Sequence, residues 1–468
     1  MIDSVLQRLT FGTFELHQWR QVSLIHRLLH PFRQWRLGSR LLAYGDAIAT
    51  AIVAIVLILA PFVSTTLIGI LLMICAAFWM LLTISDRAEG WLTPVHIGVT
   101  LYWGAMVLAT ALSPVKAAAV SGLIKLTLNL LLFMLLARVL RRAWLRTGLI
   151  STYLLTTLIV SVYGMRQWFF GAEALATWVD PTSGLSGTTR VYSYLGNPNL
   201  LAAYLMPAVA FSAAAIFVWP RWGPKILAVV SLLVNTACLV LTFSRGGWLG
   251  FLAIGFVTMV LLVYWWGDLF SPFWRRWSLP VLFGSTIAFV AFCVVFVGPV
   301  RERAASIFVG REDSSNNFRL NVWAAVFDMI RARPVTGIGP GNEAFNKVYP
   351  LFQRPRYTAL SAYSIFLETI VEAGFVGFTA FLWMLGIGFY QGVKQIQRIK
   401  QTLAPQGYWL IGAIAAQSGL LIQGLVDTVW YRPQVSMLWW LTMAVIASFF
   451  VVPKPVPTSQ HKFAEVAR

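Results

Sequence analysis

The sequence is poor in charged residues and in cysteine. Charged residues make up 11% of its 468 positions and hydrophobic residues 58%, a composition that excludes a soluble globular protein. The three cysteines, Cys75, Cys238 and Cys293, all lie in apolar segments and at no metal-binding spacing. We therefore expect them to be small buried hydrophobic residues, and we expect neither a metal site nor a cofactor.

Acidic residues are the scarcer charged class. The 17 Asp and Glu residues stand against 36 Lys and Arg, which gives a formal net charge of +19. In so apolar a chain, this basic surplus is typical of membrane topology signals and of contacts with lipid headgroups. Nucleic-acid binding needs a soluble basic domain, so we expect membrane lipid as a partner and no nucleic acid. The sequence does not indicate an oligomeric state.

Long apolar runs recur along the chain. Runs of about 18 or more residues are typical of transmembrane helices, and these runs lack the alternation of barrel strands. The sequence therefore predicts an all-α polytopic membrane protein with about twelve transmembrane helices. The predicted spans are roughly 47–63, 65–84, 95–113, 118–138, 147–169, 199–219, 226–243, 247–266, 279–298, 361–390, 409–427 and 434–452.

The basic connections between these spans predict the orientation. With twelve helices, the connections at 138–146, 220–225, 275–276 and 394–400 all fall on one side. Short basic loops remain in the cytoplasm, so both termini are predicted to be cytoplasmic and the protein to lie in the inner (plasma) membrane. The predicted parts are a basic amphipathic cytoplasmic tail at 1–43, helices one to nine within 44–298, a large extracytoplasmic loop carrying short helices at 299–360, helices ten to twelve within 361–452, and a cytoplasmic tail at 453–468.

The N-terminal tail allows two interpretations. Residues 16–40 interleave Trp, Leu and Ile with Arg and His, which predicts an amphipathic helix on the inner leaflet. A partly disordered segment that only directs topology is an equally good alternative.

The predicted loop 299–360 contains nine Arg and Lys residues, although it lies on the side of the membrane where positive charge is normally scarce. A loop of about 60 residues is translocated largely regardless of its charge. An anionic ligand at the outer face, either a lipid pyrophosphate or a small oxyanion, accounts for this basic content.

Two segments of the loop have distinct patterns. Val322, Val326 and Met329 lie on one helical stripe within 317–330, which predicts a short helix lying flat on the outer membrane surface. The glycines of Gly337–Gly341 predict a tight reversal where the backbone approaches the helices or a ligand.

Arg245 is the strongest single candidate for an anion-binding residue. It lies in the predicted outward turn Ser244–Gly247, where its guanidinium either extends to lipid phosphate or binds an oxyanion through two hydrogen bonds. The adjacent glycines favour binding, since they leave room for the anion. We expect Arg245 and Arg319 to converge on one outward cavity, because a multiply charged anion needs several donors.

Two further basic residues are candidates for the anion site. Arg190 precedes the turn Gly196–Asn199, although a helix-capping role for Asn199 is an equally good interpretation of that turn. Lys125 lies near the outer third of the fourth predicted span. An intramembrane lysine is functional by default, although it can also extend outward.

The tenth predicted span carries two carboxylates. Glu368 and Glu372 are one and two turns below Ser364, so all three share a helix face. Such carboxylates usually pair with an arginine, and we expect Arg245 or Arg319 to be the partner; proton transfer is the alternative role.

Several of these segments resemble the O-antigen ligase/polymerase superfamily. The resemblance rests on Phe243–Gly250, Arg319–Trp323, Arg333–Asn342 and Leu367–Gly377, and it covers most of the chain from about residue 120. It implies a GT-C-like membrane enzyme that passes a glycan from an undecaprenyl-pyrophosphate carrier to an acceptor at the outer face, without a metal. Within the superfamily, the segment Leu360–Ser364 and the Arg-rich tail are most similar to the cyanobacterial inorganic-carbon-transport protein B (IctB) family, described as bicarbonate transporters.

The resemblance also implies roles for individual residues. Arg245 and Arg319 match the basic positions that bind the pyrophosphate. The family's catalytic His lies in a His-Asn/Ser-x-x-Leu pattern, and here Tyr363 takes its place. Tyrosine has an unperturbed pKa of about 10 and is a poor general base at neutral pH. Glu368, about one turn from Tyr363, is the other candidate for the base.

Three functions follow as hypotheses. The first is a lipid-linked glycan ligase or polymerase. The second is a bicarbonate transporter or transport accessory that uses the same arginines as an anion site. The third is a catalytically silent relative that binds a lipid carrier. The sequence shows no internal repeat and few charged residues deep in the spans, which favours the first over the second.

Overall fold

The computed structural model describes residues 2–11, 38–85, 92–172, 189–298, 301–302, 305 and 314–451, which form α-helices and short 3-10 turns and, within these ranges, no strand. The α-helices are α1 (Ile2–Leu9), α2 (Arg40–Ala43), α3 (Gly45–Leu59), α4 (Thr65–Ser85), α5 (Pro94–Ala111), α6 (Lys116–Val139), α7 (Ala143–Phe170), α8 (Pro198–Val218), α9 (Trp222–Leu241), α10 (Arg245–Trp266), α11 (Pro272–Phe296), α12 (Ser314–Ala332), α13 (Asn342–Val348), α14 (Ile365–Lys400), α15 (Gly407–Gly424) and α16 (Pro433–Ser448).

Each of the twelve predicted spans coincides with one of the helices α3–α11 and α14–α16. In the described part of the chain, nine helices are long and apolar enough to cross a membrane, namely α4–α11 and α14. An all-helical, multi-pass membrane protein is thereby confirmed. Twelve crossings and a GT-C-like arrangement stay predictions, because α3 and α16 are shorter and α15 is not among these nine helices.

Helix α8 is one of the most buried helices of the bundle, together with α15 and α16. It packs against α9, α10 and α15. Small residues permit close contacts between helices. A Cβ added to Gly250 of α10 would lie 2.7 Å from the carbonyl oxygen of Gly419 in α15. Glycine pairs of this kind let helices associate closely in a membrane, where van der Waals packing replaces the hydrophobic effect.

Connections predicted to share one side of the membrane meet at the same end of the bundle. At the end that carries α12 and α13, here called the loop face, the Ser113 hydroxyl donates to the Ile338 carbonyl. At the other end, Asp46 pairs with Arg138 and Arg142 at 3.0 Å each. The grouping agrees with the predicted alternation. Which end is cytoplasmic stays a prediction.

The prediction of a helix near 317–330 with one apolar stripe is confirmed, but its position on the membrane surface is wrong. Val322, Val326 and Met329 of α12 are buried in a second apolar cluster of the protein itself. They pack with Phe345 of α13 and with Val371 of α14. The stripe is covered by protein because residues 338–371 fold back beneath α12, which anchors the loop on the helix bundle.

The helix α14 is broken at Gly374, whose φ of +63° and ψ of −168° are not helical. The segment 334–339 lies against this break and supplies the missing backbone partners. Ile338 N–H donates to Val371 O at 2.9 Å, and Phe375 N–H donates to Pro334 O at 2.8 Å. Free backbone groups in a membrane helix need such partners. The break was not among the sequence predictions.

The glycines of Gly337–Gly341 let the backbone of the loop approach the helices closely, as predicted. Gly337, Gly339 and Gly341 all have positive φ, between +66° and +98°. A Cβ on Gly341 would lie 2.7 Å from Cα of Gly122 in α6. The run therefore joins the loop to α6 and α14 through backbone contacts that a side chain would prevent.

Two further sequence predictions concern the cysteines and the terminal tails. Cys75 and Cys238 are buried as expected, whereas Cys293 is half-buried. Most of the tail helix predicted at 16–40 and the whole C-terminal tail at 453–468 lie outside the described residues.

Cysteine labelling tests the predicted orientation. Ser315 and Thr402 are both exposed and lie at opposite ends of the bundle. In a variant without the three native cysteines, we expect Ser315→Cys to react with an impermeant maleimide on intact cells. Thr402→Cys is expected to react only after permeabilisation. Equal labelling of both on intact cells would contradict the orientation.

Candidate functional site

Three arginines from separate segments lie near one another at the loop face. Arg190 precedes α8, Arg245 begins α10 and Arg319 lies on α12. Burial and, to a smaller extent, the charges of Arg245 and Arg319 together lower the pKa of Arg190 to about 10, against the opposite effect of Asp427. At this pKa Arg190 still carries its charge at neutral pH, so the cluster concentrates positive charge.

A polar network holds Arg190 in place. Its Nε donates to the Thr242 carbonyl at 3.0 Å, and a terminal nitrogen donates to Asn199 Oδ1 at 3.3 Å. The Asn199 side chain in turn hydrogen-bonds to Asp427, whose Oδ1 also accepts from Thr428 N–H at 2.8 Å. The network orients the guanidinium by contacts on one edge.

Asp427 is an acidic residue of this cluster that was not among the predicted site residues. It is buried, and burial raises its pKa, whereas Arg319 and Arg190 oppose that shift. Among the described residues, Asp427 acts electrostatically on both Arg190 and Arg319, so it belongs to the same site as these two arginines. The sequence signal was an aspartate at the end of the predicted span 409–427.

The turn before α10 is built differently from the prediction. Ser244 caps the helix by accepting from Gly247 N–H at 3.1 Å. Gly246 and Gly247 do not make room for an anion: added Cβ atoms would lie 3.1 Å from Val426 and 2.7 Å from Ala202, respectively. The glycines permit close helix packing, which fixes where Arg245 begins its helix.

The cap of α8 is Asn197 rather than Asn199. The Asn197 side chain accepts from the backbone N–H groups of Asn199 and Leu200, and Pro198 occupies the first helical position. This arrangement frees the Asn199 side chain for Arg190 and Asp427, so the capping interpretation of Asn199 is wrong.

Tyr363 lies beside this cluster. It has a φ of +49° and precedes Ser364, the residue at the N-terminus of α14. Burial and the nearby Asp427 raise its pKa to about 12, although the charge of Arg319 acts in the opposite direction. Its phenol is therefore protonated at neutral pH and suited to donate a hydrogen bond rather than to accept a proton.

Glu368 is buried, but its predicted pairing with Arg245 or Arg319 is wrong. Its Oε2 accepts from the Ala362 backbone N–H, one residue before Tyr363. Glu372 likewise accepts from a backbone amide, that of Gly341, at 2.6 Å. A buried carboxylate needs a donor, and backbone amides of the returning loop supply it here without a second charge. Glu368 thereby holds the turn that positions Tyr363.

Lys125 lies away from the network around Arg190, in a cavity of about 690 Å³ at the loop face. Its Nζ is 2.6 Å from Glu343 Oε1, which joins α6 to α13. Glu368 and Glu372 line the same cavity. The role of Lys125 in binding an anion stays a prediction, since the structure gives it a carboxylate partner.

The cavity and the arginine cluster share one wall, the turn between α15 and α16. Asp427 belongs to the cluster, whereas the next residue, Thr428, lines the cavity. Tyr431 also lines the cavity, and its phenol is close enough to act electrostatically on Tyr363. The two sites are therefore neighbours.

These features define a multi-pass membrane protein with a basic site and a polar cavity at one end of its helices. Residues 227–382 match the family model described as O-antigen ligase, which supports the O-antigen ligase superfamily for this chain. A comparison with curated proteins finds no match. The matched region includes Arg245, Arg319, Tyr363 and Glu368; Arg190 lies outside it.

Proposed function

We propose that the protein transfers a glycan from a lipid pyrophosphate carrier to an acceptor hydroxyl at the loop face, which faces outward from the inner membrane. The observation that carries the proposal is that Arg245 and Arg319, from separate segments, both lie near enough to Arg190 for their charges to act on it. A pyrophosphate offers several oxygens to such a cluster, and arginine binds phosphate oxygens in pairs. The match to an O-antigen ligase domain supports the same class of reaction.

In the proposed reaction, the acceptor oxygen bonds to the anomeric carbon of the donor glycan. The bond from that carbon to the pyrophosphate oxygen breaks, and the electron pair leaves with the lipid pyrophosphate. Arg190, Arg245 and Arg319 stabilise the charge that develops on the leaving group. The acceptor proton passes to the Glu368 carboxylate, while the protonated Tyr363 donates a hydrogen bond.

A vesicle assay with two readouts tests this proposal against its alternative. Sealed vesicles holding the full chain are supplied with an undecaprenyl-pyrophosphate glycan and acceptor, and separately with labelled bicarbonate. We expect arginine-dependent glycan transfer and no bicarbonate uptake. Uptake without transfer would favour the bicarbonate transporter of the IctB type, and carrier binding without either activity would indicate a silent relative.

Replacing Glu368 separates a chemical role from a positioning role. Glu368→Gln keeps an oxygen that accepts from Ala362 N–H but does not take up a proton. We expect it to lower transfer about a hundredfold or more, the scale of general base catalysis, and to leave carrier binding unchanged. If Glu368→Gln is active and only Glu368→Ala is inactive, the carboxylate positions the turn and is not the base.

Replacing Tyr363 with His restores the residue of the ligase pattern. The introduced imidazole titrates near neutral pH, unlike the buried phenol. We expect Tyr363→His to retain or increase transfer, measured in the same vesicles. Wild-type activity that vanishes in Tyr363→His would show that the phenol itself is required.

A further inference from the structure

A second cavity lies at the end of the bundle opposite to the loop face. Its volume of about 410 Å³ is within the usual range for ligand pockets. Helices α10, α11 and α14 form its walls, together with the 3-10 turn Gly267–Leu269 that joins α10 to α11. We call this cavity the lateral groove; its lining residues fall within 260–279 and 393–400.

The body of the lateral groove is apolar and open to the side. Along α10 its lining runs from Gly267 back to Val260, which is two helical turns or about 10 Å. The lining residues Tyr264, Leu279 and Val393, one from each wall, are 40% to 41% exposed. Helix α11 has no buried residue along its whole length, so the groove is reached from the lipid that surrounds the bundle.

One end of the lateral groove, its mouth, carries all of its charged lining residues. Asp268 lies 2.7 Å from Lys400 Nζ and 3.3 Å from a terminal nitrogen of Arg275. The carboxylate is 70% exposed and lies between two cations, so all three groups are charged at neutral pH. Two cations against one carboxylate leave one positive charge in excess at the mouth.

Both cations are held in place, and Arg275 keeps donors for a ligand. The ammonium of Lys400 lies 4.5 Å from the centre of the Tyr264 ring, which fixes it across the mouth from α14 to α10. Arg275 donates through Nε to the Gly267 carbonyl at 3.3 Å and through one terminal nitrogen to Asp268. A guanidinium has five N–H donors, so others remain for the oxygens of an anion.

Aromatic side chains indicate the depth of the mouth in the membrane. Phe273, Trp274 and Trp277 flank Arg275 in the first turns of α11, and all three are exposed. Exposed tryptophan beside arginine is typical of the interface between membrane and water. The mouth of the lateral groove therefore lies at the level of the lipid headgroups, and its apolar body lies at the level of the acyl chains.

We propose that the lateral groove binds one anionic phospholipid. Its phosphodiester, with a single negative charge, lies between Arg275 and Lys400 and offsets the surplus charge of the mouth, while an acyl chain fills the apolar body. A choline headgroup would add a third cation at the mouth and is disfavoured. The bound lipid fills the space between α11 and the bundle. This site lies at the opposite end from the arginine cluster, so it is independent of the proposed function.

Photo-crosslinking of the full-length protein in nanodiscs tests the proposal. The probes are phosphatidylglycerol and phosphatidylcholine that carry the same diazirine-bearing acyl chain. We expect phosphatidylglycerol to label peptides that contain residues 260–264 or 393–396 at least about threefold more than phosphatidylcholine, the scale of partly exposed charge contacts. Peptides of α4, whose exposed Ile70 and Met73 lie far along the chain from any charge, are expected to be labelled equally by both lipids.

Variants of the mouth give the matched comparison. Arg275→Gln and Lys400→Gln are each expected to bring the ratio of the two labels at the groove close to one, with the labelling of α4 unchanged. The control is Arg276→Gln: Arg276 is the next residue of α11 and is exposed, but it does not line the groove, so the ratio is expected to persist. Equal labelling of the groove by both lipids in the wild type, or a preference that all three variants reduce alike, overturns the site.

Discussion

Arg245→Ala is expected to reduce glycan transfer by a factor of about a hundred to a thousand, because it removes a charged donor aimed at the leaving pyrophosphate. Arg319→Ala is expected to have an effect of the same size, since the charges of Arg245 and Arg319 both act on Arg190. The two effects are expected to be far from additive, because the arginines act as a unit on one anion. Initial rates in vesicles, at saturating acceptor, measure each variant.

The matched control is Arg331→Ala, on the same helix as Arg319. The Arg331 side chain is 78% exposed and pairs with Asp328 on the surface, so its loss is expected to change transfer little. Arg245→Lys is informative as well: it keeps the charge but not the two-pronged geometry, and an intermediate loss is expected. Loss of activity in Arg331→Ala equal to that in Arg245→Ala would mean that general basicity, rather than the cluster, supports the reaction.

Gly374→Ala is expected to disrupt the seating of the loop on α14. The φ of +63° with ψ of −168° is a combination that is essentially restricted to glycine. In any other residue it adds about 1–3 kcal/mol of conformational strain. The added Cβ would also lie 2.1 Å from the Val335 carbonyl oxygen, which is backbone and does not yield easily. We therefore expect loss of transfer together with a lower unfolding temperature in detergent.

Gly386→Ala is the control for this substitution. Gly386 lies in the same helix, and an added Cβ there meets nothing within 4 Å. It is expected to be neutral or stabilising by about 1 kcal/mol, as for glycine in an ordinary helix interior. A Gly374→Ala protein with wild-type thermal stability and transfer would show that segment 334–339 does not depend on the break in α14.

Much of the fold was predictable, because a long apolar run that spans a membrane usually forms a helix, which satisfies its own backbone hydrogen bonds. The boundaries of α6 and α10 lie within a few residues of the predicted spans, since apolar length determines them. The break at Gly374 was not predictable in this way. It depends on backbone partners from Pro334 and Ile338, which are distant in sequence and leave no local pattern.

The candidate site was predictable in its charges and less so in its contacts. Arg190 and Arg245 stood out because they lie at predicted outward turns, and Arg319 stood out through the family resemblance. In the structure, the charges of Arg245 and Arg319 both act on Arg190. The partner of Glu368 was predicted wrongly, because the expectation considered only side-chain charges whereas the structure supplies a backbone amide. Asp427 was missed because a single acid in a short turn has no distinguishing spacing.

A structure of the protein with a bound polyprenyl pyrophosphate tests the central claim most directly. Cryo-electron microscopy in nanodiscs would locate the two phosphorus atoms, which are the strongest scatterers of the ligand. We expect phosphate oxygens within hydrogen-bond distance of Arg245 and Arg319, with Arg190 and Asn199 bordering them. Pyrophosphate bound elsewhere, with these arginines turned to other protein groups, would contradict it.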